Sequence, residues 1–132
     1  MIRLKNENQI DGIRKSCKLL AQLFEELLPQ VKEGMSTKDI DDIVVSFIKK
    51  HGGKPAWYQA GFPAAACISV NEEVIHGLPN KKKILKKGDI VSLDIGINLD
   101  GYISDSTRTI AIGDVSKDAK KLMAVTKQCL DA

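Results

Sequence analysis

Two alternating segments joined by an Asp-Gly pair place the strongest constraint on the fold of this chain. Along residues 89–98, apolar side chains alternate with a second set, which consists of Ser92, Asp94, Gly96 and Asn98. Asp100 and Gly101 follow and are typical of a two-residue hairpin turn, because such a turn needs positive φ angles. That turn would make Asp94 and Asp105 diagonal neighbours on one face, roughly 7–8 Å apart at the backbone. The sequence therefore predicts an antiparallel hairpin that carries two carboxylates on the same face.

A shared cation would explain this pair of aspartates. Two like charges directed at one space repel each other and need a counter-charge, which a divalent metal supplies. Asp94 lies in the middle of an apolar strand, where aspartate is disfavoured. In the predicted register Gly96 faces Asp105 and, having no side chain, would leave room there for an ion. The alternative is that both aspartates are solvated on an open sheet face, since exposed aspartates are common. The position of Asp94 and the hydroxyl neighbours of Asp105 favour the metal site.

A second segment carries a specific family resemblance. The run from Asn71 to Pro79 reads Asn-Glu-Glu-Val-Ile-His-Gly-Leu-Pro. It resembles the bacterial type I methionine aminopeptidases, in which Asn-Glu-x-x-x-His-Gly-(Ile/Leu)-Pro precedes two metal-binding aspartates. The interval from Asp94 to Asp105 is similar to the family's interval as well. Further agreements are Gly61-Phe62-Pro63, Asp100-Gly101-Tyr102 and Asp105-Ser106-Thr107. Together they cover residues 61–107, with weaker similarity in the helices.

The resemblance implies a metallo-exopeptidase that removes the N-terminal methionine from nascent proteins. Asp94 and Asp105 would bind two divalent ions (Co, Mn, Fe or Zn), and Asp105 would bridge them. His76 would be catalytic and would donate a hydrogen bond to the scissile peptide unit. Phe62 and Cys67 would bind the methionine side chain beside His76. Without the resemblance, His76 would be interpreted as a turn histidine, and Phe62 and Cys67 as ordinary core residues.

The chain departs from the family pattern in two respects. Where the family often has a tyrosine, three residues before the aromatic matched by Phe62, this chain has Gln59. Family members have two similar halves in a pita-bread (creatinase/aminopeptidase-like) fold, and residues 1–132 match only the N-terminal half of that catalytic domain. The second half would supply a His and two Glu to the dinuclear site, and no segment after Asp105 supplies them. The chain is then either a truncated product or one piece of a longer protein.

Helical and strand periodicities predict one α+β domain. With 132 residues and 43% hydrophobic content, the chain can form a single modest core. The predicted elements are a helix from about Asn8 to Leu28 with Asn6 and Gln9 as a capping pair, a helix capped by Ser36 or Thr37 and closed by His51-Gly52-Gly53, strands within 64–70 and 89–112, and a helix that opens at Ser116 or Asp118. This order predicts an antiparallel sheet with helices packed on one face.

The net charge and the cysteine content indicate which binding partners and which cellular compartment to expect. The net charge of +3 is too mild to indicate a specific nucleic-acid partner. Five lysines within residues 81–87 predict a solvated loop, with a ribosome contact as the alternative. No apolar run approaches the roughly 20 residues needed to span a membrane. Three irregularly spaced cysteines favour free thiols, and hence a cytoplasmic protein.

Three functions are consistent with these patterns. The first is the methionine aminopeptidase described above, of which this chain is one half and on its own inactive. The second is a non-catalytic, truncated or stand-alone half-domain that binds a protein or the ribosome. The third is a prolidase-like enzyme, which would share the paired aspartates but not the segment from Asn71 to Pro79. A half-domain is also expected to expose apolar surface, and a homodimer could cover that surface with a second copy of the chain.

Overall fold

The helices and strands follow one another in the predicted order. The structure is a computed structural model that describes residues 2–132. In chain order its elements are α1 (Glu7–Leu27), α2 (Thr37–Lys50), β1 (Lys54–Pro55), β2 (Ala66–Val70), β3 (Ile90–Leu99), β4 (Tyr102–Ala111) and α3 (Lys117–Asp131), with 3₁₀ turns at Leu28–Gln30 and Ala56–Ala60. The sequence did not predict β1 or the 3₁₀ turns, because two to five residues are too few to show a periodicity.

All three helices begin at side-chain caps. Asn6 and Gln9 form a reciprocal capping box at the start of α1, as predicted. Ser36 caps α2 by accepting a hydrogen bond from the backbone N–H of Asp39, and Ser116 caps α3 in the same way. These caps satisfy N–H groups that have no partner within the first turn of a helix.

Strand β3 is the centre of the sheet. It pairs antiparallel with β4 along one edge, and with β1 and β2 at different residues along the other. The tight turn at Asp100 and Gly101 has φ angles of 53° and 87°, so both residues adopt the left-handed conformation that this turn requires. Gly96 is the partner of Asp105. The predicted register is confirmed, and with it the common face of Asp94 and Asp105.

The opposite face of the sheet forms the core with α1 and α2. Ser16 of α1 is buried and donates a hydrogen bond to the Ile97 carbonyl oxygen at 3.1 Å, which fastens the helix to the sheet. The largest fully buried apolar side chains of this core are Leu23, Leu27, Ile40, Val44, Ile48, Ile68, Leu85, Val91, Leu93, Ile95 and Ile97. Helix α3 contributes no buried residue. No helix among residues 2–132 is long and apolar enough to cross a membrane.

Candidate active site

Two carboxylates from adjacent strands meet on the open face of the sheet. Asp94 of β3 is partly buried, and Asp105 of β4 is exposed. Burial raises the pKa of the Asp94 carboxyl, and the negative charge of Asp105 raises it further, while a hydrogen bond with Thr107 opposes both effects. In the strand register Asp94 pairs with Thr107 and Gly96 with Asp105, so the two carboxyl groups are diagonal neighbours on one face.

Within the described part of the chain, no ion pair with a basic side chain balances these two carboxylates. Neither aspartate forms a salt bridge within residues 2–132, although seven other ion pairs occur there. Over the same residues no group of three or more His, Cys, Asp or Glu side chains is arranged to hold a metal. Carboxylate oxygens that form no ion pair fit a divalent cation. Two carboxylates are nevertheless only part of a complete ligand set.

The space over Gly96 is filled by protein. A Cβ added at this position would lie 3.0 Å from the Ala56 Cβ and 3.0 Å from Cζ2 of Trp57. The indole Nε1 of Trp57 donates a hydrogen bond to the Asp94 carbonyl oxygen at 3.3 Å. The prediction that Gly96 leaves room for an ion was therefore wrong, because the absent side chain accommodates Ala56 and Trp57 instead.

His76 is held beside the sheet by the glycine that follows it. The Gly77 carbonyl oxygen accepts a hydrogen bond from the Ile68 N–H at 2.8 Å, and the Gly77 N–H donates to the Ser69 hydroxyl at 3.1 Å. His76 itself has a φ of 57°, an uncommon conformation for a residue with a side chain. The backbone of the loop is therefore hydrogen-bonded to β2 directly after His76.

A cavity of about 410 Å³ brings most of the predicted site residues together. Its lining residues are Trp57, Ala60, Gly61, Phe62, Pro63, Cys67, His76 and Asp94. Four of the five predicted site residues are in this set, whereas Asp105 is exposed next to Asp94 and does not line the cavity. Gln59, which stands where the family often has a tyrosine, is exposed and lies outside the lining. Sequence reasoning missed Trp57 as a lining residue.

Cys67 provides a neutral wall of this cavity. It pairs with Asp94 in the β2–β3 register and is buried. Burial raises the pKa of its thiol to about 11, with smaller contributions from the negative charges of Asp94 and Asp105. At neutral pH the side chain is therefore a small, polarisable thiol and not a thiolate.

Comparison with known proteins identifies the family. Residues 11–132 match the family model described as Metallopeptidase family M24. The chain belongs to this metallopeptidase family. Over all of its residues it is 56% identical to the methionine aminopeptidase of Treponema pallidum, and over 97% of them 46% identical to that of Clostridium perfringens. It covers 51% of each relative, so the chain spans about half the length of the curated relatives that it matches.

Solved structures confirm the expected half of a pita-bread fold. The methionine aminopeptidase of Thermotoga maritima matches with a TM-score of 0.94 at 37% identity, over 99% of this chain and 53% of its own. The methionine aminopeptidase of Rickettsia prowazekii matches with a TM-score of 0.92 at 36% identity, over 97% of this chain and 52% of its own. The prolidase of Pyrococcus furiosus matches with a TM-score of 0.75 over 89% of this chain and 34% of its own. Its identity of 22% indicates a shared fold alone. The methionine aminopeptidase resemblance is confirmed, and the non-catalytic alternative gains no support from these comparisons.

Hydrogen bonds and one ion pair support the loop that carries His76. Glu73 accepts a hydrogen bond from the Val70 N–H at 2.8 Å and forms an ion pair with Lys83, which together lower the pKa of its carboxyl. Asn71 accepts a hydrogen bond from the Ile90 N–H at 3.0 Å. Lys83 is thus a structural residue, whereas the other four lysines of the 81–87 segment are exposed, as predicted for a solvated loop.

Proposed function

We propose that this chain is the N-terminal half of the catalytic domain of a metal-dependent aminopeptidase that removes the N-terminal methionine from nascent proteins. The observation that carries the proposal is the juxtaposition of Asp94 and Asp105, which form no ion pair within residues 2–132, with His76 and an apolar cavity. Relatives named methionine aminopeptidase, at 56% and 46% identity, support the choice of reaction. The order of residues along the chain supports it independently of those names.

In this proposal each site residue has a separate task. Asp94 and Asp105 would be the residues of this half that hold two divalent ions. Bound divalent metal lowers the pKa of water and stabilises negative charge on a carbonyl oxygen. His76 donates a hydrogen bond to the scissile peptide unit. Phe62 and Cys67 contact the methionine side chain, because an apolar and polarisable lining suits a thioether.

The 132-residue chain by itself should be a weak metal binder. Two carboxylates offer at most four oxygen donors, and no larger group of metal-binding side chains occurs in residues 2–132. We propose that a second half, with a His and two Glu, supplies the remaining ligands. This requirement distinguishes the proposed enzyme from a half-domain that is functional alone.

The proposal extends to compartment and partners. We assign the reaction to the cytoplasm, since Cys17, Cys67 and Cys129 form no disulfide. Exposed lysines near the His76 loop would allow a ribosome contact, which agrees with nascent chains as substrates. The apolar side chains of α3 would allow the 132-residue form to associate with a second copy.

Peptide turnover tests the proposed reaction. The full natural reading frame that contains this chain should release methionine from a Met-Ala-Ser peptide when Mn or Co is added, and should stop after chelation. His76→Ala should reduce kcat by about 10²–10⁴-fold with metal still bound, if the imidazole assists proton transfer. The 132-residue chain should show negligible turnover. Metal-dependent turnover by that chain alone, or none by the longer form, would contradict the proposal.

A further inference from the structure

The single tryptophan of the chain lies at the cavity and is fixed there by three contacts. Trp57 belongs to the 3₁₀ turn Ala56–Ala60 and lines the cavity together with Asp94. Its Nε1 donates a hydrogen bond to the backbone carbonyl oxygen of Asp94. The position of that oxygen does not depend on the rotamer of Asp94. Its ring edge lies over Gly96, where an added Cβ would come within 3.1 Å of Cη2. Its own carbonyl oxygen accepts a hydrogen bond from the Phe62 N–H at 3.0 Å.

These contacts fix Trp57 relative to the carboxylates. Asp94 and Gly96 are neighbours on the same strand, so the indole is attached to the strand that carries the first carboxylate. The bond from Phe62 attaches the second aromatic residue of the cavity to the same turn. The indole is therefore held against the backbone of the strand that carries Asp94.

We propose that Trp57 is a specificity-determining residue: its indole is the wall that limits the size of the substrate's first side chain. This inference rests on the proposed aminopeptidase function. A peptide placed with its first carbonyl at Asp94 would extend its first side chain among the apolar lining residues, of which Trp57 has the largest ring. Removing the ring would leave Phe62 and Cys67 in place and would enlarge the space available to a bulkier side chain.

Tyr58 provides a matched control for this role. It is the next residue in the same turn, and it is aromatic, but 48% of its surface is exposed and it does not line the cavity. Its replacement tests whether loss of any aromatic ring from the turn changes selectivity. Trp57→Phe and Trp57→Ala both lose the Nε1 hydrogen bond but differ in ring size, so comparison of the two variants isolates the effect of the size of the wall.

The experiment compares kcat/KM for X-Ala-Ser peptides in which X is Met, Leu or Phe. It uses the full natural protein with added Mn and the variants Trp57→Ala, Trp57→Phe and Tyr58→Ala, each checked for folding by circular dichroism. Trp57→Ala should raise the ratio of Phe-peptide to Met-peptide kcat/KM by about tenfold or more, the scale at which apolar pockets discriminate by size. Trp57→Phe should give a smaller rise, and Tyr58→Ala none.

Two results separate this inference from the function on which it rests. A wild-type protein that cleaves no peptide overturns the proposed function and the inference with it. A cleaving wild type overturns the inference alone if both Trp57 variants keep its substrate ratio, even when they lower kcat for every peptide equally. If Trp57→Ala does not fold, the ratio of Phe-peptide to Met-peptide kcat/KM for Trp57→Phe tests the inference: a rise supports it, and an unchanged ratio overturns it.

Discussion

Gly77 packs directly against the backbone of Ile68. A Cβ added at Gly77 would lie 2.1 Å from the Ile68 carbonyl oxygen, far inside the shortest normal contact. This contact explains why glycine follows His76, since no other residue permits the loop to approach β2 so closely. The histidine is brought to the cavity by a constraint on its neighbour and not by contacts of its own ring.

Gly77→Ala should destabilise the fold by more than about 2 kcal/mol, because the clash is with backbone that cannot move aside. Gly34→Ala is the control. Gly34 has a φ of 87° and nothing within 4 Å of an added Cβ, so its replacement carries only the conformational penalty, about 1 kcal/mol. Urea unfolding of both variants measures the difference. Equal losses would show that the Gly77 contact is relieved by a small shift.

Asp41→Ala should be strongly destabilising. This buried side chain accepts hydrogen bonds from the N–H groups of Ala65 and Ala66 at 2.9 and 3.1 Å, at the start of β2. Each N–H left without a partner costs about 1–3 kcal/mol. Asp42→Ala is the control. Both Asp41 and Asp42 form an ion pair with Lys38, but Asp42 is exposed. Denaturant titration that found similar losses for both variants would contradict the role given to Asp41.

The three cysteines should differ in reactivity. Cys17 and Cys129 are exposed, whereas Cys67 is buried and its thiol pKa is raised to about 11. Below that pH the Cys67 thiol stays protonated, and the thiolate is the form that reacts. Brief iodoacetamide treatment at pH 7.5, followed by peptide mass spectrometry, should label the first two and spare Cys67. Equal labelling of all three would contradict the buried position of Cys67.

The 132-residue chain should associate in solution through α3. This helix has no buried residue, and Leu122 and Leu130 are 60% and 81% exposed. Exposed apolar side chains of this kind favour association. Leu122→Glu should shift sedimentation velocity profiles towards the monomer, while Lys121→Glu, a charge change on the same helix, should shift them less. A wild-type chain that is monomeric at high concentration would contradict this expectation.

The hairpin could be predicted from the sequence because its determinants are local. Asp100 and Gly101 specify the turn, and the turn fixes the register, so the common face of Asp94 and Asp105 follows from a few adjacent residues. The capping box of Asn6 and Gln9 is local in the same sense. Such features depend on residue types within one turn or strand pair.

The contacts that position the site could not be predicted in this way. Trp57 lies over Gly96, and Gly77 lies against Ile68. These contacts join residues that are distant along the chain, and the periodicity of a helix or strand does not predict such contacts. Gly96 was interpreted as space for an ion because the sequence does not show which segment covers a glycine. The roles of the site residues were predicted from family resemblance, whereas their proximity is a property of the fold.

The most direct test of the paired aspartates is calorimetric titration of Mn²⁺ into the full natural protein. Asp94→Ala and Asp105→Ala should each remove the high-affinity binding heat, because both carboxylates are needed for the ions. Asp114→Ala, at an aspartate whose side chain is 86% exposed, should titrate like the wild type. Unchanged Mn²⁺ affinity in either Asp94→Ala or Asp105→Ala would contradict the assignment of this pair as the metal site.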